Sequence, residues 1–149
     1  MAFQGFQFYH PLSYLNSYAT LFFYHTIDPA NHTSILLVLS HEGNIAEATG
    51  ANIFFKDNLG ELHTPIPDSF LDGITRREVI KIAKSKGIKV TERKIKPNEM
   101  KDFVGCFLTG TAAEVTPVSK ISEYSFKVCD LITDLNKSYQ SLVRKKTAA

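Results

Sequence analysis

Between two short apolar runs, residues 35–39 and 53–55, the chain carries Glu47-Ala48-Thr49-Gly50-Ala51-Asn52. A carboxylate, a hydroxyl, a glycine and an amide packed between strand-like runs do not fill a core. They suit a polar site at the end of a sheet, where a ligand is held. Two later stretches, Leu71-Asp72-Gly73-Ile74-Thr75-Arg76 and Thr109-Gly110-Thr111-Ala112-Ala113-Glu114, have the same mixed character. A fold that brings the three to one place would build a single site from them.

The elements around these stretches follow from pattern and punctuation. Residues 34–39, 51–55 and 61–64 read as strands, separated by polar turns at 40–44 and 56–60. Thr75-Arg76-Arg77-Glu78 fits a capping box in which the Thr75 hydroxyl accepts from the Glu78 backbone N–H. Val79, Ile80, Ile82 and Ala83 then form one apolar stripe, and Gly87 stops the helix. Residues 89–95 read as a strand, followed by a turn at Lys96-Pro97-Asn98 and a short helical stretch to Asp102. Two more strands are predicted at 105–109 and 114–118, hinged at Gly110-Thr111. Val128, Leu131, Ile132, Leu135, Tyr139, Leu142 and Val143 mark a last amphipathic helix. Strands and helices in this order predict an α+β fold, a mixed sheet or partial barrel with helices outside.

The chain has 149 residues, 44% hydrophobic and 21% charged, enough for one domain with a real core. A net charge of +2 gives no electrostatic case for nucleic acid or a membrane surface. No apolar run approaches the roughly 18 residues of a membrane span, and no basic stretch opens the chain as in a secretory signal, so a cytoplasmic protein is expected. Cys106 and Cys129 lack CxxC spacing and read as reduced core residues. His10, His25, His32, His41 and His63 show neither HxxxH nor HxH spacing, so no metal site is expected. No GxSxG elbow supports hydrolase chemistry. One break stands out: residues 1–55 hold no Lys or Arg, and nine of the 17 aromatic residues lie in the first 24. Residues 1–34 therefore form an aromatic leader with no clean periodicity.

The polar stretches carry alternative readings. Gly73-Ile74-Thr75 is either an ordinary helix start or an anion site, with free N–H groups, a hydroxyl and the helix dipole facing a phosphate. Gly110-Thr111-Ala112 is either a hinge between strands or a second nest of N–H groups. Glu47 is a surface carboxylate or a buried one that needs a proton-donating partner. Glu114 reads as a member of a structural salt bridge.

Taken in order and spacing, residues 45–55, 71–76 and 109–117 resemble the class IV aminotransferases, most of all the branched-chain amino acid aminotransferases. Lys89-Val90-Thr91-Glu92-Arg93 is similar to the family's strand after the helix. The resemblance implies the large domain of a fold type IV pyridoxal phosphate enzyme, with residues 35–149 as the C-terminal, cofactor-binding domain behind a leader, 1–34, that does not match. It places Glu47 at the pyridine nitrogen and Gly73, Ile74 and Thr75 at the phosphate. It places Gly110, Thr111 and Ala112 at a second phosphate contact, with Thr111 and Ala112 near the substrate carboxylate. Tyr14 would be a further cofactor contact, and Asn52 a structural member of its motif.

The family's covalent lysine lies shortly before a segment similar to Tyr14-Leu15-Asn16-Ser17. Here Tyr9 and His10 stand at those positions, and no Lys precedes Lys56. No catalytic residue is therefore assigned. The implied reaction is amino transfer between a branched-chain amino acid and 2-oxoglutarate, by a truncated form with impaired activity that lacks the N-terminal domain. The alternatives are a non-catalytic remnant that binds pyridoxal phosphate or associates with a subunit, and one half of a split aminotransferase. A homo-oligomer, or association with a chain supplying the missing domain, is expected.

Overall fold

The computed structural model describes residues 25–27 and 34–147. Strand β1 (His25–Ile27), β2 (Ser34–Leu39) and β3 (Ile45–Ala48) form an antiparallel sheet in the order β1-β2-β3. The main sheet has five strands in the order β6-β5-β4-β7-β8. These are β4 (Asn52–Lys56), β5 (Leu62–Thr64), β6 (Val90–Glu92), β7 (Gly105–Gly110) and β8 (Glu114–Pro117). β5 and β6 run parallel, joined through helix α1 (Ile74–Ser85), while the other pairs are antiparallel. A 3-10 helix (Pro97–Asp102), a hairpin of β9 (Lys120–Ile121) and β10 (Tyr124–Ser125), and helix α2 (Asp130–Thr147) complete the chain. This is the mixed-sheet α+β architecture that the pattern predicts.

The apolar runs of β4 and β7 are unbroken because both faces of the main sheet are covered. Alternate residues point to opposite faces. Phe54 and Phe107 face α1 and α2, packed with Val79, Ala83, Ile132 and Leu135. Their rings stack at 4.9 Å across the strand pair. Ile53, Phe55, Cys106 and Leu108 face the other way, against Leu37, Leu39 and Ile45 of the smaller sheet, Met100 of the 3-10 helix and Phe103 just after it. Cys106 is buried and Cys129 half-buried, both as free thiols, and burial pushes the Cys106 thiol up, away from the reactive thiolate.

Helix α1 differs from expectation at its start. It begins at Ile74 with Gly73 as its N-cap, and no side chain caps it. Thr75 thus lies inside the first turn, and its hydroxyl meets the Tyr139 hydroxyl of α2 at 3.2 Å instead of the Glu78 N–H. The predicted stripe does bury Val79, Ile80 and Ala83. At the far end Gly87 takes φ +75°, and the N–H groups of Gly87 and Ile88 reach the carbonyls of Lys84 and Ala83. That is the Schellman ending, which a left-handed glycine makes possible.

The predicted strand over 89–95 shortens to Val90–Glu92. Ile95 instead crosses to the smaller sheet, where its carbonyl accepts from the Ile45 N–H at 2.7 Å and its side chain is fully buried. In the last helix, Val128 precedes Asp130 and is exposed, so the buried stripe begins later than the pattern suggests.

Arg76 ties α1 to the sheet. It is 1% exposed, the largest fully buried side chain among the described residues. Its NH1 donates to Asp72 at 2.7 Å, and its NH2 donates to Glu92 at 2.7 Å and to the Pro65 carbonyl at 2.9 Å. Its Nε faces Thr64 Oγ1 at 3.4 Å, and Thr64 donates in turn to the Ile53 carbonyl. A buried guanidinium needs this degree of saturation, and a neutral replacement leaves Glu92 without its cation and Asp72 with Arg77 alone, at 3.6 Å. Arg76→Met, which keeps the aliphatic length, is expected to lower stability by about 3 kcal/mol, read as a fall in the urea midpoint.

Candidate active site

The three polar stretches converge through backbone packing. Ala48 and Ala51 exchange hydrogen bonds at 2.8 and 3.0 Å, so Thr49 and Gly50 form a two-residue hairpin turn between β3 and β4. Gly50 takes φ +73°, a left-handed position that suits glycine. The Thr49 backbone N–H donates to the Leu36 carbonyl at 2.8 Å, fixing the turn against β2.

Asn52 opens β4 on the face that carries α1. Its Nδ2 donates to the Leu71 carbonyl at 2.8 Å, and its Oδ1 accepts from the Gly73 N–H at 3.2 Å. One buried amide therefore clamps the loop before α1 and sets where the helix begins. The Asn52 oxygen approaches so closely that a Cβ on Gly73 would lie 2.5 Å from it. Gly73 is thus required for close approach, not for a left-handed turn: its φ of −64° is open to any residue.

The third stretch packs on the first. Asn52 pairs with Thr109 across β4 and β7, and a Cβ on Gly110 would lie 3.2 Å from the Gly50 carbonyl oxygen. Thr111 and Ala112 follow in an exposed turn before β8. Glu114 has φ +48° and accepts from Gln140 Nε2 at 3.1 Å. Among the described residues it joins no ion pair, which replaces the expected salt bridge by an amide contact across to α2. The Thr109 hydroxyl is fully buried and has no hydrogen-bond partner among the described residues.

Glu47 lies within β3, opposite Val38, and is half-buried. The strand at 45–48 was not expected, since the polar carboxylate interrupts a short run. Among the described residues no cation or hydrogen-bond donor reaches the Glu47 carboxylate, and burial alone raises its pKa above the ordinary 4.5. A carboxylate so placed favours a proton or a proton-bearing partner. Tyr14 and His10 lie outside the described residues.

The residues present fit an anionic cofactor with a basic ring. The first turn of α1 has no acidic residue and no capping side chain, so its backbone N–H groups are left for an anion. Elsewhere, Asp57, Glu61 and His63 bring ligand atoms within 4.8 Å of one another. Asp57 already bonds His63 at 3.0 Å, Glu61 pairs with Lys89 at 2.8 Å, and Arg93 lies 3.4 Å from the His63 Nδ1. Cations on both sides make this a structural network. A surface depression between Lys86, Ile88, Asp134 and Lys137 lies at the opposite end of α1 from Gly73. It takes no part in the site.

Two outcomes follow from this geometry. Gly73→Ala, which drives a methyl into the Asn52 amide, is expected to cost about 1–3 kcal/mol in urea unfolding. Because burial raises the Glu47 pKa, the folded chain binds the extra proton between pH 4.5 and the raised value. The protonated form favours the fold, and that contribution is lost as pH rises through this window. Glu47→Gln is thus expected to raise the melting temperature at pH 7 by roughly 1–3 °C and to change little near pH 4, in thermal unfolding of the ligand-free chain.

Comparison with known proteins identifies the family. The amino-transferase class IV family matches residues 28–121, a span that contains all three stretches. A "Probable branched-chain-amino-acid aminotransferase" of Rickettsia bellii is 48% identical over 113 residues, 72% of this chain and 38% of the relative. The branched-chain aminotransferase of Thermoproteus uzoniensis, solved with norvaline, superposes with a TM-score of 0.67 at 35% identity, over 73% of this chain and 36% of that one. An aminotransferase from Brucella abortus, solved bound to pyridoxal phosphate, gives 0.69 at 30% identity, over 72% and 39%. The chain spans about 38% of the length of the curated relatives it matches. A family match over residues 28–121 and superposition on solved members at 30–35% identity have one explanation: the chain belongs to the class IV aminotransferase family.

Proposed function

We propose that this chain is the cofactor-holding part of a branched-chain amino acid aminotransferase, with pyridoxal phosphate bound at the three convergent stretches. The observation that carries the reading is the pairing of an uncapped helix start with a half-buried carboxylate that lacks a partner among the described residues. The first suits a phosphate, and the second suits a protonated ring nitrogen.

In this reading the N–H groups of Ile74 and Thr75 and the Thr75 hydroxyl hold the phosphate. Gly110, Thr111 and Ala112 supply a second set of donors, with Thr111 and Ala112 also facing the substrate carboxylate. Glu47 accepts from the ring nitrogen and keeps its proton in place. The cofactor, once bound, supplies the electron sink for the substrate's α proton loss. The substrates are a branched-chain amino acid and 2-oxoglutarate. The two free cysteines suit a cytoplasmic setting, and no described helix is long and apolar enough to cross a membrane.

A second reading rests on a specific feature. Tyr9 and His10 stand where the resemblance puts the covalent lysine. An imidazole cannot replace a primary amine in that bond, so the chain holds the cofactor non-covalently. It either turns over poorly or works with a chain that supplies the lysine. Leu71 and Ile74, beside the phosphate stretch, are 78% and 73% exposed. Large apolar side chains left open at a site favour association, with a second copy or with such a chain.

Titration of the purified chain with pyridoxal phosphate, followed by borohydride reduction and intact mass, tests this reading. Saturable absorbance change without a mass adduct is the expected result. No binding would sink the cofactor assignment, and an adduct on a single lysine would overturn the non-covalent part.

A further inference from the structure

Two consecutive side chains of α2 reach the site from outside the sheet. Gln140 holds Glu114 after the third stretch, and the Tyr139 hydroxyl lies 3.2 Å from Thr75 Oγ1 in the first turn of α1. Tyr139 is partly buried against the apolar cluster shared by α1 and α2, and Thr75 is buried. The contact joins residues 64 positions apart. Tyr139 falls on the apolar stripe of its helix, so the sequence marks its ring and says nothing of its hydroxyl.

The chemistry of the pair is directional. A threonine hydroxyl carries one proton and two lone pairs. If Thr75 donates to Tyr139, no proton remains for an anion at the helix start. If Tyr139 donates, the threonine oxygen is filled from behind and its own proton points elsewhere. A phenol is a far stronger hydrogen-bond donor than an aliphatic hydroxyl. An anion in front of Thr75 strengthens that order further, because hydrogen bonds in a chain polarise one another. Among the described residues the Thr75 hydroxyl makes no hydrogen bond other than that to Tyr139.

We infer that Tyr139 is a positioning residue for phosphate binding: its hydroxyl donates to Thr75 Oγ1 and thereby commits the threonine proton to a phosphate oxygen. This rests on the reading of Gly73, Ile74 and Thr75 as the phosphate seat. α2 is then more than a cover for the sheet, because it sets the donor direction of a residue on another helix.

The test compares the full chain with Tyr139→Phe, Thr75→Val and the double variant, each titrated with pyridoxal phosphate and with pyridoxal, which lacks the phosphate. Tyr139→Phe is expected to weaken pyridoxal phosphate binding about fivefold, the loss of one neutral hydrogen bond. Thr75→Val is expected to weaken it roughly tenfold or more, since its bond is to a charged group. Pyridoxal binding should be unchanged in both, and the double variant should be no weaker than Thr75→Val alone. Equal weakening toward both ligands, or additive losses in the double variant, would mean that Tyr139 acts only by packing, and the inference would be overturned. If Thr75→Val weakens the phosphate ligand and Tyr139→Phe does not, the inference falls while the phosphate seat stands. If the unaltered chain binds neither ligand, the seat and the inference fall together.

Discussion

The buried guanidinium of Arg76 is the interaction on which the arrangement depends. It sits in the first turn of α1 and meets a strand, a loop and the end of a second strand: Thr64, Pro65, Asp72 and Glu92. A charge with 1% exposure is tolerable only when every donor has somewhere to go. The partners are therefore constrained as much as the arginine is. α1 could otherwise slide along the apolar face of the sheet, since contacts between Val79, Ala83 and the two stacked phenylalanines are not directional. The arginine gives the packing a register.

That register matters because the helix start is where the chemistry is proposed. Arg76 fixes α1 from below and Asn52 fixes Gly73 from the side. Gly110 lets the third stretch close over the hairpin at Gly50, where a methyl would meet the carbonyl oxygen. The site is thus assembled by close backbone approaches and amide clamps, while the groups with the greatest chemical potential, Glu47 and the N–H groups of α1, are left without partners among the described residues. Such incomplete satisfaction is costly in a fold and useful in a binding site.

Sequence pattern revealed most of the frame. The strands predicted at 34–39 and 105–109, the stripe of α1 and its glycine stop, and the mixed-sheet class all rest on local rules: alternation, helical period and the left-handed freedom of Gly87. The misses are equally physical. Thr75-Arg76-Arg77-Glu78 has the composition of a capping box, yet Asn52 holds Gly73 as the cap and moves the start of the helix forward. Ile95 leaves its strand because a deeper hydrophobic position exists in the smaller sheet. Glu47 belongs to a strand that its own charge disguised.

From the chain alone came the three polar stretches, their order, and the residue types that suit a phosphate and a ring nitrogen, because these are matters of local chemistry. Only the folded chain decided that Asn52 joins the first stretch to the second, that Gly110 joins the third to the first, and that Glu92 and Tyr139 reach Arg76 and Thr75 in the first turn of α1. The reason is range. Propensity and periodicity act over a few residues, whereas a buried charge or a hydroxyl finds its partner wherever packing brings one within 3 Å or so.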